Sequence, residues 1–194
     1  MCIRDRHGNE YDVQPLRVGH VVLNVVSVKD SLILYRVFLG FEVVKEVYDT
    51  QGVATAAFLS CGKIHHDLAL FEADKNPETG RADPIQHGKK TLGLNHVAFQ
   101  VPSFEMLNDY YKILKDCRMT RHDGSPYDPN DRAAGYYQEP IILRTTDHGM
   151  TSSIYITDPD GIGVELFCNN QEDPAEGLEI MKDDARENTE LTFA

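Results

Sequence analysis

Two stretches of the chain share one alternation of apolar and polar positions. Residues 16–25 read LRVGHVVLNV and residues 91–101 read TLGLNHVAFQV. In each, a histidine opens an apolar run rich in β-forming residues, the pattern of a strand. The histidines, His20 and His96, lie 76 positions apart, and the same offset carries Ser27 to Ser103 and Tyr35 to Tyr111. Between these landmarks the apolar residues fall at helical spacing: Val28, Leu32 and Tyr35 in the first stretch, Leu107, Tyr111 and Leu114 in the second. Ser27 and Ser103 suit helix N-caps, and Gly40 suits the end of the first helix.

Strand patterns follow each helix. In the first half they cover residues 41–48, 53–59 and 64–71; in the second, 119–122, 141–145, 152–157 and 164–168. The last strands match again, LALF at 68–71 against VELF at 164–167, but the offset is now 96. The second half therefore carries about 20 extra residues, best placed in the Gly-, Pro- and Asp-rich stretch 123–137. A polar segment with Pro77, Gly80, Pro84 and Gly88 joins the halves. The expected fold class is α+β: two βαβββ modules, residues 16–73 and 91–170, forming a curved mixed sheet around a central cleft. Neither module can bury its sheet alone, so together they make one domain, 16–170. Residues 1–15 read as an N-terminal extension and 171–194 as a C-terminal tail.

Charge and cysteine content narrow the classes. The 194 residues carry a net charge of −12, which disfavours nucleic acid as a partner. The tail holds 8 acidic and 2 basic residues, half of that charge, and reads as a solvated, partly helical or disordered extension. No apolar run approaches the ~18 residues of a membrane span. The polar N-terminus has no signal-peptide pattern, so a cytoplasmic location is expected. Cys2, Cys61, Cys117 and Cys168 are too scattered for a zinc finger or a disulfide framework. Cys61 and Cys168 read as buried thiols.

The repeat also places candidate chemistry. His20 and His96 are equivalent, and Glu165 stands where the first module has Ala69. Glu165 interrupts the apolar run GVELFC, and a buried carboxylate is costly unless paired or bound to metal. Singly, each would read as a satisfied core histidine or a strand-end glutamate. Together, two histidines and a carboxylate from separate strands are the donor set of a non-heme Fe(II) facial triad.

Four segments carry a family resemblance: GHVVLNV at 19–25, SLILYRVFLGFEVV at 31–44, LNHVAFQV at 94–101 and SSIYITDPDGIGVELF at 152–167. They resemble the vicinal oxygen chelate superfamily, which includes glyoxalase I, fosfomycin and bleomycin resistance proteins, and extradiol ring-cleaving dioxygenases. Three elements resemble the dioxygenase branch: His66-Asp67 before LALF, the Asp147-His148-Gly149 element, and Tyr155 ten residues before Glu165. The resemblance implies Fe(II), with Mn(II) as the alternative, held by His20, His96 and Glu165, while His66, His148 and Tyr155 surround a small aromatic diol and O2. It also implies pairing into a homodimer or higher homo-oligomer. Strand alternation would put His65, rather than His66, on the metal face; the motif favours His66. His7, His87 and His122 lie in polar stretches and read as solvent-exposed. Asp158-Pro159-Asp160-Gly161 reads as a structural turn.

The function expected is therefore Fe(II)-dependent extradiol cleavage of a catechol-type ring. A glyoxalase-type isomerase or lyase is the enzymatic alternative. It is weakened by Ala69, which stands where a second carboxylate is expected. A drug-binding resistance protein is the non-enzymatic alternative, weakened by the retained triad.

Overall fold

The computed structural model describes residues 2–4, 10–12, 17–75, 77–78, 94–122, 136–182 and 187–193, with residues 2–4, 10–12, 119–122 and 136–139 described by their backbone. His7, His87, the His122 side chain and most of the segment joining the halves lie outside that description. A short antiparallel pair, β1 (Cys2–Arg4) with β2 (Glu10–Asp12), precedes the repeat.

The first module runs β3 (Val21–Val25), α1 (Val28–Leu32), a π-helical stretch (Ile33–Phe38), β4 (Glu42–Tyr48), β5 (Ala54–Ser60) and β6 (Leu68–Glu72). The second runs β7 (His96–Gln100), α2 (Phe104–Leu114), β8 (Arg118–His122), β9 (Tyr136–Pro140), β10 (Ile142–Asp147), β11 (Thr151–Thr157) and β12 (Gly163–Asn169). Both caps form as the pattern predicts. Ser27 Oγ accepts from the Asp30 amide at 3.2 Å, and Ser103 Oγ from the Met106 amide at 3.3 Å. Gly40 takes a φ of +75° just past the first helix, a conformation that glycine adopts without a Cβ penalty.

Each module builds a four-stranded mixed sheet in the same order. They read β3-β6-β5-β4 and β7-β12-β11-β10, with the first and last strands parallel and the remaining pairs antiparallel. The fold is thus α+β with two βαβββ-like modules. The expected curved sheet is two separate four-stranded sheets among the described residues. The strand at 119–122 also differs from expectation. The second-module counterpart of β4 is β10, while β8 pairs with β9 in a hairpin of its own. The stretch expected to hold the extra residues therefore lies between the two strands of a β-hairpin arm.

One core serves both modules. Leu23, Leu34 and Leu59 of the first join Leu107, Ile154 and Leu166 of the second in a single buried cluster. Each such side chain contributes about 1.5–3 kcal/mol by leaving water. Polar contacts fix the modules across this core. The turn at 158–161 is a structural bridge: Tyr35 Oη donates to Asp158 Oδ2 at 3.2 Å, and the Val26 amide donates to Asp160 Oδ2 at 3.0 Å. Asp158 Oδ1 also accepts from the Asp160 and Ile162 amides, and Gly161 closes the turn at φ +83°. Burial raises the carboxyl pKa of Asp158 to about 7 and of Asp160 to about 6.

The acidic tail begins with α3 (Pro174–Met181), capped by Asp173. Residues 187–193 then run back against the second module: Thr189 bridges Asp147, and Phe193 stacks on Phe104 and Tyr111. Leu191 and Phe193 are partly covered, because this apolar end finds the aromatic side of α2, while residues 187–190 and 192 stay exposed, as expected of a solvated tail. Cys168 is buried as expected, but Cys61 is exposed, since it lies in the β5–β6 connection and not in a strand. No described helix is long and apolar enough to cross a membrane.

Candidate metal and ring-cleavage site

The register of the sheets explains how the candidate residues are presented. Glu165 on β12 lies opposite Ala98 on β7 and opposite Tyr155 on β11. Residues directly opposite share a face of the sheet, so Tyr155 and Glu165 point the same way. His96, two positions before Ala98, and Ser153, two before Tyr155, join them by alternation. The other face of β11 and β12, with Ile154, Ile156, Val164 and Leu166, packs into the core. A carboxylate was legible in the sequence as an anomaly; its partners come from cross-strand register.

Glu165 is 8% exposed and engaged at both oxygens. Ser153 Oγ donates to Oε1 at 2.6 Å, and His96 Nε2 lies 3.0 Å from Oε2. The other imidazole nitrogen, His96 Nδ1, is 2.7 Å from Asn95 Oδ1. A carbonyl oxygen accepts, so Nδ1 carries the proton. A neutral ring then directs the lone pair of Nε2 at a carboxylate oxygen. Two acceptors at this distance need a positive charge between them, either a second proton or a metal ion. Two ligands bonded at about 2 Å to one ion, roughly at right angles, also lie close to 3 Å apart. Donor type, tautomer and spacing of this pair therefore fit a metal ion. Asn95 is the outer partner that orients a ligating histidine. Its signal in the sequence is its position directly before His96, where the first repeat has Gly19 before His20.

Gly163 makes this approach feasible. It pairs with His96, and a Cβ there would stand 2.7 Å from Asn95 O and 2.9 Å from His96 Cβ. Only a residue without a side chain lets β7 lie this close to β12.

Tyr155 extends the site. Its hydroxyl is 2.9 Å from His148 Nε2, its ring meets His96 edge-on, and the Arg144 guanidinium lies 4.1 Å from its ring centroid. Burial and then the neighbouring Glu165 charge raise the phenol pKa, while Arg144 opposes them. Tyr155 is therefore a neutral phenol at physiological pH. His148 sits at the β10–β11 turn, where Gly149 at φ +80° and the Asp147 carboxylate, accepting from the Gly149 amide at 2.6 Å, close the bend. Arg144 carried no motif in the sequence; its position opposite Tyr155 is a consequence of the β10–β11 register.

The first module supplies a separate group. His20 immediately precedes β3, and its ring centroid lies 4.6 Å from that of His66. His66 also meets Phe58 edge-on and contacts His65 through the two Nδ1 atoms. Strand β6 begins only at Leu68, so residues 62–67 are a bend and the alternation that pointed to His65 does not extend to them. His65 is exposed, whereas His66 is partly covered. Desolvation, followed by repulsion from His65 and His20, holds the His66 pKa below the usual imidazole value. His66 is therefore neutral and able to accept a proton at neutral pH.

The structure thus gathers His96 with Glu165, Tyr155 and His148, and His20 with His66. Among the described residues, no three His, Cys, Asp or Glu side chains stand close enough to hold one ion. His20 rests against His66 and does not complete the His96–Glu165 pair.

Comparisons with known proteins follow the same lines. The family model described as Glyoxalase/Bleomycin resistance protein/Dioxygenase superfamily matches residues 17–166. Biphenyl-2,3-diol 1,2-dioxygenase 3 of Rhodococcus globerulus is 30% identical over 165 residues, covering 85% of this chain and 70% of that protein. Catechol-2,3-dioxygenase of Bacillus subtilis is 24% identical over 152 residues, covering 78% of this chain and 41% of that one. A solved glyoxalase/dioxygenase from Nostoc punctiforme superposes with a TM-score of 0.51 at 19% identity, covering 83% of this chain and 98% of that structure, and shares its fold. The paired βαβββ modules and a match spanning most of the repeat establish that this chain belongs to the glyoxalase/bleomycin resistance protein/dioxygenase superfamily.

Proposed function

We propose that this chain is an extradiol dioxygenase, which opens a catechol-type ring with O2 at a metal held by the His96–Glu165 pair, with His20 as third ligand once its ring leaves His66. The observation that carries the reading is the His96–Glu165 pair, with an oriented Nε2 set 3.0 Å from a buried carboxylate and Tyr155 and His148 beside it. The names of the two dioxygenase relatives, acting on a biphenyl diol and a catechol, support the same class. Bound there, a ferrous ion, or Mn(II) in its place, would supply a Lewis acid for both diol oxygens and electrons for dioxygen.

The residues divide the remaining work. Glu165 brings one negative charge and the two neutral imidazoles none, which leaves one positive charge to match a catecholate monoanion. His66 takes the proton from the substrate hydroxyl and later returns it to an oxygen of the ring-opened product, which keeps both atoms of O2. Its lowered pKa suits the first of these roles. The neutral Tyr155 hydroxyl, backed by His148, forms a hydrogen bond with the second substrate oxygen and fixes the ring's orientation. Phe58, beside His66, gives the ring an apolar wall.

The test is direct. Purified protein loaded with Fe(II) under nitrogen, then mixed with catechol or biphenyl-2,3-diol and air, should produce a yellow ring-opened product and consume one O2 per diol. A protein that binds one equivalent of iron yet leaves both diols intact would overturn the reading.

A further inference from the structure

The tail residues 187–193 reach the candidate site. Their path is fixed at three points. Asp147 and Thr189 exchange backbone hydrogen bonds at 2.8 and 3.1 Å, Thr145 Oγ1 donates to Leu191 O at 2.8 Å, and the Phe193 ring stacks on Tyr111 at 4.4 Å between centroids. The Asp147–Thr189 bridge fixes the residue before Thr189 beside the residue after Asp147. These are Asn188 and His148, and Asn188 Oδ1 lies 3.1 Å from His148 Nδ1. The opposite nitrogen, Nε2, is 2.9 Å from the Tyr155 hydroxyl. A continuous chain of hydrogen bonds therefore runs from the tail through His148 to the phenol next to Glu165.

We propose that Asn188 is a positioning residue: by accepting the proton of His148 Nδ1, it fixes the tautomer of His148 and thereby decides which way the Tyr155 hydroxyl donates. With Nδ1 protonated, Nε2 is an acceptor and Tyr155 must donate to it. The phenol oxygen then offers only lone pairs, to the Arg144 guanidinium and to a substrate hydroxyl. In the other tautomer, Nε2–H would donate to Tyr155. The phenol proton would then be free to turn towards Glu165 and compete for the carboxylate. A segment that sequence reading assigns to the solvent thus sets the polarity of a hydrogen bond inside the site. The inference rests on the ring-cleavage reading for its consequence, but its geometry does not need metal or substrate.

The test therefore uses the full-length, metal-free protein. Nitrogen-15 spectra of the histidine side chains at alkaline pH, with the His148 signals assigned by their loss in His148→Gln, report the tautomer directly. The wild-type ring should be predominantly Nδ1–H. Asn188→Ala, which leaves the Thr145–Leu191 and Phe193 contacts in place, should lower the Nδ1–H to Nε2–H ratio about threefold, the low end for one hydrogen bond because Asn188 is exposed to water. Asn188→Asp retains an acceptor and should restore it. A purely structural role would not separate the Ala and Asp variants. A wild-type ring that is already Nε2–H, or an Asn188→Ala ring unchanged from wild type, would overturn the proposal. Should Asn188→Ala fail to fold, the wild-type tautomer and the Asp variant decide the matter. Absence of catechol cleavage would remove the functional reading and leave this result standing.

Discussion

The two modules share a topology and a register, yet their equivalent positions carry different chemistry. Ala69 lies opposite Val22 and Phe58 in the first sheet, as Glu165 lies opposite Ala98 and Tyr155 in the second. Ser153, which donates to Glu165, corresponds to Ala56, since each faces a phenylalanine of the last strand. At these positions the first sheet carries Ala69, Phe58 and Ala56, and the second carries Glu165, Tyr155 and Ser153. The β5–β6 and β11–β12 connections divide in the same way. Residues 61–67 are long enough to bend His66 over His20, while residues 158–162 form a shorter turn that bridges to Tyr35 and Val26. A duplicated scaffold thus carries different side chains at equivalent positions without altering its strand order.

The sharpest way to break this division is to make the second face resemble the first. Glu165→Ala, which installs the first-module residue, should abolish stoichiometric iron binding and all ring cleavage, measured by metal analysis and product absorbance. Iron content at the wild-type level would show that the carboxylate is not a ligand. The next effect belongs to the first module. His66→Ala should keep its iron and its affinity for catechol while turnover falls about 10²- to 10⁴-fold, whereas His65→Ala should change it little. A dead His65→Ala enzyme beside a fast His66→Ala enzyme would reverse the two assignments.

A smaller effect is expected from the spacing of strands. Gly163→Ala forces β7 away from β12, because the new Cβ meets a backbone oxygen rather than a flexible side chain. The cost is about 1–3 kcal/mol in stability, seen as a lower denaturation midpoint together with weaker iron binding. Unchanged values of both would show that the His96–Glu165 distance does not depend on this glycine. A pH-dependent effect concerns the bridge between modules. Asp158 and Asp160 have folded-state carboxyl pKa values raised from 3.8 to about 7 and about 6. An acid with a raised folded pKa contributes stability below its unfolded pKa, and that stability is lost as pH rises through the folded value. The metal-free protein should therefore lose melting temperature from about pH 4 to about pH 7, and Asp158→Asn should flatten that slope. A slope of equal size in the variant would remove Asp158 as its source.

Much of this arrangement was legible in the sequence. The offset between His20 and His96, the caps at Ser27 and Ser103 and the matched last strands depend on local periodicity, which a linear reading captures. Glu165 stood out because it breaks an apolar run. What escaped the reading depends on which strands lie side by side. The Phe58–Tyr155 equivalence requires the register of the third strands, because the offset there is neither 76 nor 96. Arg144 reaches the site only through the β10–β11 register, and Asn188 through a partner 40 residues away in the chain. Strand alternation does not bear on the pair at 65–66, because these residues precede the strand.

The bridge from the β11–β12 turn also bears on the order in which the molecule forms. Tyr35 and Asp158 are 123 residues apart, and Val26 and Asp160 are 134. Each sheet closes over much shorter stretches of chain, and closure over long separations is slow. The sheets should therefore assemble within their modules first, with the carboxylate turn docking last. By the same logic it should open first, so that native-state hydrogen exchange at the Val26 and Ile162 amides runs ahead of exchange in the strand ladders. Protection at these amides equal to that of β5 or β11 would show that the two modules fold as a single cooperative unit.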